Sequence, residues 1–181
     1  MIEIKRKDLP YNSHLTIFEK KINDSEMDEQ IIKMIDKQKD KQNKSTRVKA
    51  QMTEWQMWNH TGFNKLANII IETIPEITKT KYELSGFKPS IIDMWGLKYK
   101  SEEYAEEHHH WPSAWSVVYF VKGSKDSPGL FFPEMGEQGG ERTFEPGLLM
   151  FFPGYVKHSV RPKSFEGERY VVACNIEELK K

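Results

Sequence analysis

Apolar positions change their period partway along the chain. Met27, Ile31, Met34 and Ile35 recur every three to four residues and predict a first helix, which Ser25 and Asp28 would open as a variant capping box. The polar run DKQKDKQNKST then removes any apolar stripe and reads as a solvated helix end and loop. Phe63, Leu66, Ala67, Ile70 and Ile74 mark one face of a second helix, with Pro75 as its stop. The first ten residues read as a lead-in strand or arm. From Pro89 onward, short β-branched and aromatic runs alternate with Gly, Pro and charged turns. Strands are predicted at 91–99, 115–122, 130–132, 147–152, 157–161 and 169–176. Their even spacing points to a sandwich or jelly roll.

The expected architecture is thus mainly β with N-terminal helices. Residues 1–181 form one domain, with 1–88 a helical layer and lead-in strand and 89–178 the β core. At 181 residues the chain can build a core without disulfide or metal staples. Its single cysteine, Cys174, excludes an internal disulfide and a thiolate-only zinc cage, and fits a cytoplasmic setting. No apolar run approaches the roughly 20 residues of a membrane span, and the start of the chain lacks the apolar stretch of a secretory signal, so no membrane partner is expected.

Twenty-seven Lys and Arg balance 27 Asp and Glu. No global field gathers nucleic acid, and residues 101–150 hold three basic against nine acidic side chains, so the middle repels phosphates. A protein or small-molecule substrate fits better; oligomeric state is unreadable. Lysine outnumbers arginine 22 to 5, which makes each arginine, with its bidentate fork, more informative.

Four of the six histidines fall at two places: His108, His109 and His110, and His158. In an extended segment His108 and His110 face one side and His109 the other. In a jelly roll, a strand about fifty residues later can lie opposite and bring His158 to the same point. A set of imidazoles with open positions suits Fe, Ni, Cu or Zn, and non-haem Fe(II) in particular when dioxygen must bind. Glu106 or Glu107 could replace His110 as a ligand if the strand is bulged, although Glu107 has the wrong parity. His14 and His60 stand alone. Pro153 and Gly154 make the turn that returns the chain to His158, with Gly154 expected in a left-handed conformation. Eleven residues beyond His158, Arg169 opens a strand in which alternate positions from 169 to 175 share a face. An inward guanidinium in an apolar barrel calls for a carboxylate, which a dicarboxylate ligand would supply. The competing reading is a surface Arg169 paired with Glu166 or Glu168.

The stretches WGLKYKSEEYAEEHHHWPSAWSVVYFV, GLLMFFPGYVKHSV and ERYVVACNI, within Asp93 to Ile176, resemble phage-type members of the 2-oxoglutarate and Fe(II)-dependent oxygenases. The resemblance implies a double-stranded β-helix, cupin-like in architecture. It also implies a dioxygenase that hydroxylates a C–H bond with Fe(II), 2-oxoglutarate and O2, releasing succinate and CO2. His108, His110 and His158 would be the metal ligands, Arg169 the clamp on the far carboxylate, and Asn175 a weaker member of that pocket. If phage-encoded, the chain would act in the host cytoplasm. Position 110 departs from the commoner pattern, where a carboxylate stands. Two other readings stay open: a three-His cupin-type enzyme that does not use 2-oxoglutarate, and a non-enzymatic β-sandwich whose Trp95, Trp111, Trp115 and Tyr119 serve as anchors. Trp111 is expected at the mouth, and 122–128 and 136–142 are candidate lids.

Overall fold

The computed structural model describes residues 5–8, 16–38, 46–79, 86–135 and 140–180, with only the backbone at 5–8. Among the described residues, twelve strands form two antiparallel sheets. The larger has the order β1 (Lys5–Asp8), β2 (Thr16–Lys21), β10 (Leu148–Pro153), β7 (Trp115–Lys122), β12 (Arg169–Lys180), β5 (Phe87–Tyr99) and β4 (Gln51–Met52). The smaller has β3 (Val48–Lys49), β6 (Tyr104–His108), β11 (His158–Val160), β8 (Leu130–Phe131) and β9 (Glu141–Arg142). The two sheets enclose an apolar interior as a double-stranded β-helix, and the helices α1 (Ser25–Lys37) and α2 (Phe63–Thr78) cover the outer face of the larger sheet.

Strand alternation builds two cores at once. Val118, Phe120, Val171 and Ala173 point between the sheets, whereas Val117, Tyr119, Val172 and Cys174 point under the helices with Ile31, Ile35, Phe63 and Ile70. Helix α1 approaches β5 so closely that a Cβ on Gly96 would lie 2.4 Å from the Ile35 side chain. Only a glycine lets the apolar stripe of α1 reach the strand backbone.

Several local expectations shift. The cap of α1 is Asp24, whose Oδ1 accepts the Met27 N–H at 3.0 Å; a carboxylate accepts more strongly than the Ser25 hydroxyl and complements the helix dipole. Asp28 instead accepts the Tyr119 hydroxyl at 2.7 Å, tying α1 to β7. Helix α2 runs through Pro75 to Thr78. Proline forfeits one backbone bond, but Ile77 continues the buried stripe of Ile70 and Ile74, and that burial holds the last turn. Strands β2 and β6 and the two-residue strands β3, β4 and β9 join those expected, and β12 runs on to Lys180. Part of the polar run after α1, His14, and residues 136–139 of the candidate lid lie outside the described residues.

Candidate functional site

His108 is the last residue of β6 and His158 the first of β11, and the two are direct partners in the ladder. They are neighbours within one sheet rather than facing residues across the barrel. His110 lies two residues beyond β6, held by its N–H donating to the Gly154 carbonyl at 2.7 Å. The ring centroids of His108 and His158 are 4.4 Å apart, those of His108 and His110 5.0 Å, and those of His110 and His158 5.2 Å. One nitrogen from each ring lies within 4.8 Å of the others, a spacing that could hold one metal ion.

The backbone sets the tautomers. The Nδ1 of His108 is 2.7 Å from the Glu106 carbonyl, and that of His158 is 3.1 Å from the Val156 carbonyl. A carbonyl only accepts, so each Nδ1 carries the proton and each Nε2 keeps its lone pair. Burial pulls His110 down to about 3 and lowers His108 and His158 as well, so all three rings are neutral at pH 7. The amide nitrogen of Asn175 lies 3.3 Å from His110 Nδ1 and 3.5 Å from the Asp93 carboxylate, so Asn175 stands at the histidine end of the cavity.

The neighbouring candidates point elsewhere. His109 is exposed and its Nδ1 accepts the Trp111 N–H at 3.2 Å. Glu107 pairs with Lys157 at 3.1 Å, and Glu106 with Lys49 at 3.7 Å and Arg47 at 3.9 Å, so lysine and arginine draw both carboxylates away. His60 pairs with Glu54 at 3.4 Å. Gly154 serves by close approach, not by left-handed backbone: a Cβ there would lie 2.0 Å from the Ser113 carbonyl oxygen.

Arg169 is 1 % exposed, which excludes the surface reading; Glu168 pairs with Lys98 at 2.8 Å instead. The guanidinium lies 4.5 Å from the Tyr99 ring centroid, 5.4 Å from Phe144 and 5.7 Å from Phe120. Its Nε and Nη1 are buried without a hydrogen-bond partner. Burial pulls Arg169 down to about 10, so it stays charged at pH 7. One cavity is lined by the three histidines, Asn175 and Arg169. Neutral imidazoles suit a divalent metal at one end, and unpaired donors suit an anion's oxygens at the other. The residues present therefore fit iron and a dicarboxylate together.

Trp111 and Tyr155 are 69 % and 60 % exposed and follow the two residues of the His110–Gly154 backbone bond in the chain; neither lines the cavity. The 122–128 loop leaves β7 beside Tyr170, at the Arg169 end, so it does not overhang the histidines. Sequence reasoning missed Tyr99, which strand register brings to Arg169, and Phe144, which the loop between β9 and β10 brings there.

No protein-family model matches the chain, and comparison with curated proteins finds no match. Solved structures do match its fold, among them a protein from Burkholderia pseudomallei described as an oxidoreductase of the 2OG-Fe(II) oxygenase family, with a TM-score of 0.55 at 10% identity over 99% of this chain and 75% of that one. A viral collagen prolyl hydroxylase from Paramecium bursaria Chlorella virus-1, solved with 2-oxoglutarate, superposes with a TM-score of 0.58 at 17% identity over 87% of this chain and 94% of that one. A prolyl-4-hydroxylase from Pseudomonas putida gives 0.61 at 14% identity, covering 90% and 92%. HygX from Streptomyces hygroscopicus, with nickel, 2-oxoglutarate and hygromycin B bound, gives 0.62 at 9% identity, covering 89% and 82%. The chain thus shares the double-stranded β-helix of these oxygenases.

Proposed function

We propose that the chain is an Fe(II)- and 2-oxoglutarate-dependent dioxygenase that hydroxylates a C–H bond. One observation carries the reading: a buried guanidinium with two unpartnered nitrogens shares a cavity with three converging neutral imidazoles. His108, His110 and His158 would hold the iron, Arg169 the far carboxylate of 2-oxoglutarate, and Asn175 would line the cavity. When bound, iron and 2-oxoglutarate supply, with O2, an oxidant strong enough for an unactivated C–H bond, leaving succinate and CO2. The chain's own part is placement: two carbonyls orient His108 and His158, and Phe120, Phe144 and Tyr99 keep water from the guanidinium.

The substrate would approach past Trp111 and Tyr155 and be a small molecule or a protein side chain. The net charge of −6 over 101–150 supports neither nucleic acid nor a phosphate-rich surface. Among the described residues no helix is long and apolar enough to cross a membrane. We place the protein in the cytoplasm, the host's for a phage gene, because its one cysteine is free and buried.

Anaerobic titration of Fe(II)-loaded protein with 2-oxoglutarate tests the reading. A metal-to-ligand charge-transfer band should appear, and Arg169→Ala should weaken it. The all-nitrogen donor set also suits a three-His enzyme without a cosubstrate, which would take up iron but give no such band. A chain that binds neither iron, cobalt nor nickel would be a non-enzymatic sandwich. Succinate release with ascorbate and host extracts, followed by mass spectrometry for a gain of one oxygen, then finds the substrate.

A further inference from the structure

Among the described residues, four buried side-chain polar atoms lack a hydrogen-bond partner, and three of them belong to Arg169 and Trp95, which line this one cavity. Trp95 is 3 % exposed and sits on the inward face of β5. Its ring is 5.9 Å from that of His110, and Trp55 packs on it at 4.7 Å. An indole N–H donates and cannot accept, so sealing it away from water costs the full desolvation of that donor. A phenylalanine would fill the same apolar surroundings without that cost.

The two sets of idle donors lie at different depths. Trp95 is the ladder partner of Ala173, and Tyr99 that of Arg169, four residues along β12. That is roughly 13 Å of strand, and the guanidinium stays with Tyr99, Phe120 and Phe144. One donor therefore stands beside the histidines and the others at the far end, as an elongated ligand with oxygens at both ends requires.

We propose that the Trp95 Nε1–H donates to an oxygen at the metal-chelating end of the cosubstrate, the carboxylate next to the keto group. The inference rests on the oxygenase reading and deepens it: Arg169 recognises the far carboxylate and Trp95 the near one. Trp95 is thereby a cosubstrate-binding residue, and its place predicts which small acids the site retains.

Oxalate separates the two ends, because it can chelate a metal but has no far carboxylate. Calorimetry on Ni(II)-loaded protein, which does not turn over, should show Trp95→Phe raising the Kd of both oxalate and 2-oxoglutarate by about tenfold. Arg169→Met should raise the Kd of 2-oxoglutarate alone. Nickel stoichiometry and melting temperature show that the variants fold. In Zn(II)-loaded wild-type protein labelled with 15N-tryptophan, one indole N–H resonance should move downfield as oxalate is added. An unchanged oxalate Kd in Trp95→Phe, or five stationary indole resonances, overturns the role of Trp95 while leaving the oxygenase reading intact. Wild-type protein that takes up nickel but binds neither acid overturns both.

Discussion

Arg169 and Tyr99 face each other across β12 and β5, with the guanidinium carbon 4.5 Å from the centre of the phenol ring. Cation–π contacts of this kind return about 0.5–2 kcal/mol each. Burying a charge without a counter-ion costs several kcal/mol. The ligand-free site is therefore strained electrostatically, and stability and binding oppose each other at this position. Arg169→Met should raise the melting temperature of the ligand-free protein while weakening 2-oxoglutarate binding at least about a hundredfold, the loss of a charge-assisted bidentate contact. In wild type alone, saturating 2-oxoglutarate with Ni(II) should raise the melting temperature. Differential scanning fluorimetry with and without the acid reads both effects. A variant less stable than wild type in the absence of ligand would mean that the contact with Tyr99 already offsets the buried charge.

The histidines make a prediction internal to the triplet. His108, His110 and His158 converge, whereas His109 turns outward to the Trp111 N–H. Alanine at any of the three should lower Ni(II) or Fe(II) affinity by at least about a hundredfold, and His109→Ala should leave it within a factor of about two. His110→Asp should keep the metal, since a carboxylate is also a ligand, and should shift the energy of the charge-transfer band by removing one unit of positive charge. Metal analysis after gel filtration, followed by anaerobic spectra, checks the series. Equal losses for His109 and His110 would break the geometric assignment.

These residues were legible because a strand alternates with period two. That rule sets His108 and His110 apart from His109, and it puts Arg169, Val171, Ala173 and Asn175 on one face. Register is another matter. Nothing in the sequence says that Tyr99 rather than another aromatic lies across from Arg169, because the pairing follows from the whole sheet. Strand β6 was hidden by its exposed acids: of YAEEH only Ala105 is fully buried, so no apolar alternation marks it. The cap of α1 was misplaced by one residue because Asp24 and Ser25 are both good caps and only the geometry chooses between them.

Gly154 ties the turn before His158 to the segment after β6 through both of its backbone polar groups. Its carbonyl accepts the His110 N–H at 2.7 Å, and its own N–H donates to Ala114 at 3.1 Å. A methyl group would meet the Ser113 carbonyl oxygen at 2.0 Å, so the two loops must separate. Gly154→Ala should cost about 1–3 kcal/mol of stability, as overpacking of a fixed contact does, and should reduce metal affinity by displacing His110. Urea unfolding and nickel calorimetry measure the two losses. Retained stability with lost metal binding would show that the loop yields locally, and retention of both would show that it is not a constraint.

On the outer face, Lys98 links Asp36 and Glu168 at 2.9 and 2.8 Å, and Glu168 also accepts the Tyr170 hydroxyl at 2.7 Å. Lys98 first, then Tyr170, holds the Glu168 carboxyl below its usual 4.5. A carboxyl lowered on folding stabilises the fold fully above its unfolded value, and the contribution fades as the pH falls through the lowered one. Glu168 is 38 % exposed at the side chain, so solvent screening limits the effect to below about 1 kcal/mol. Glu168→Gln should therefore melt slightly below wild type at pH 7, with the gap closing as the pH drops below 4.5. Because this group is remote from the histidines, nickel affinity at pH 7 should be the same in both proteins. A gap that instead widens in acid would reverse the sign of the coupling and show that the charged form of Glu168 opposes folding.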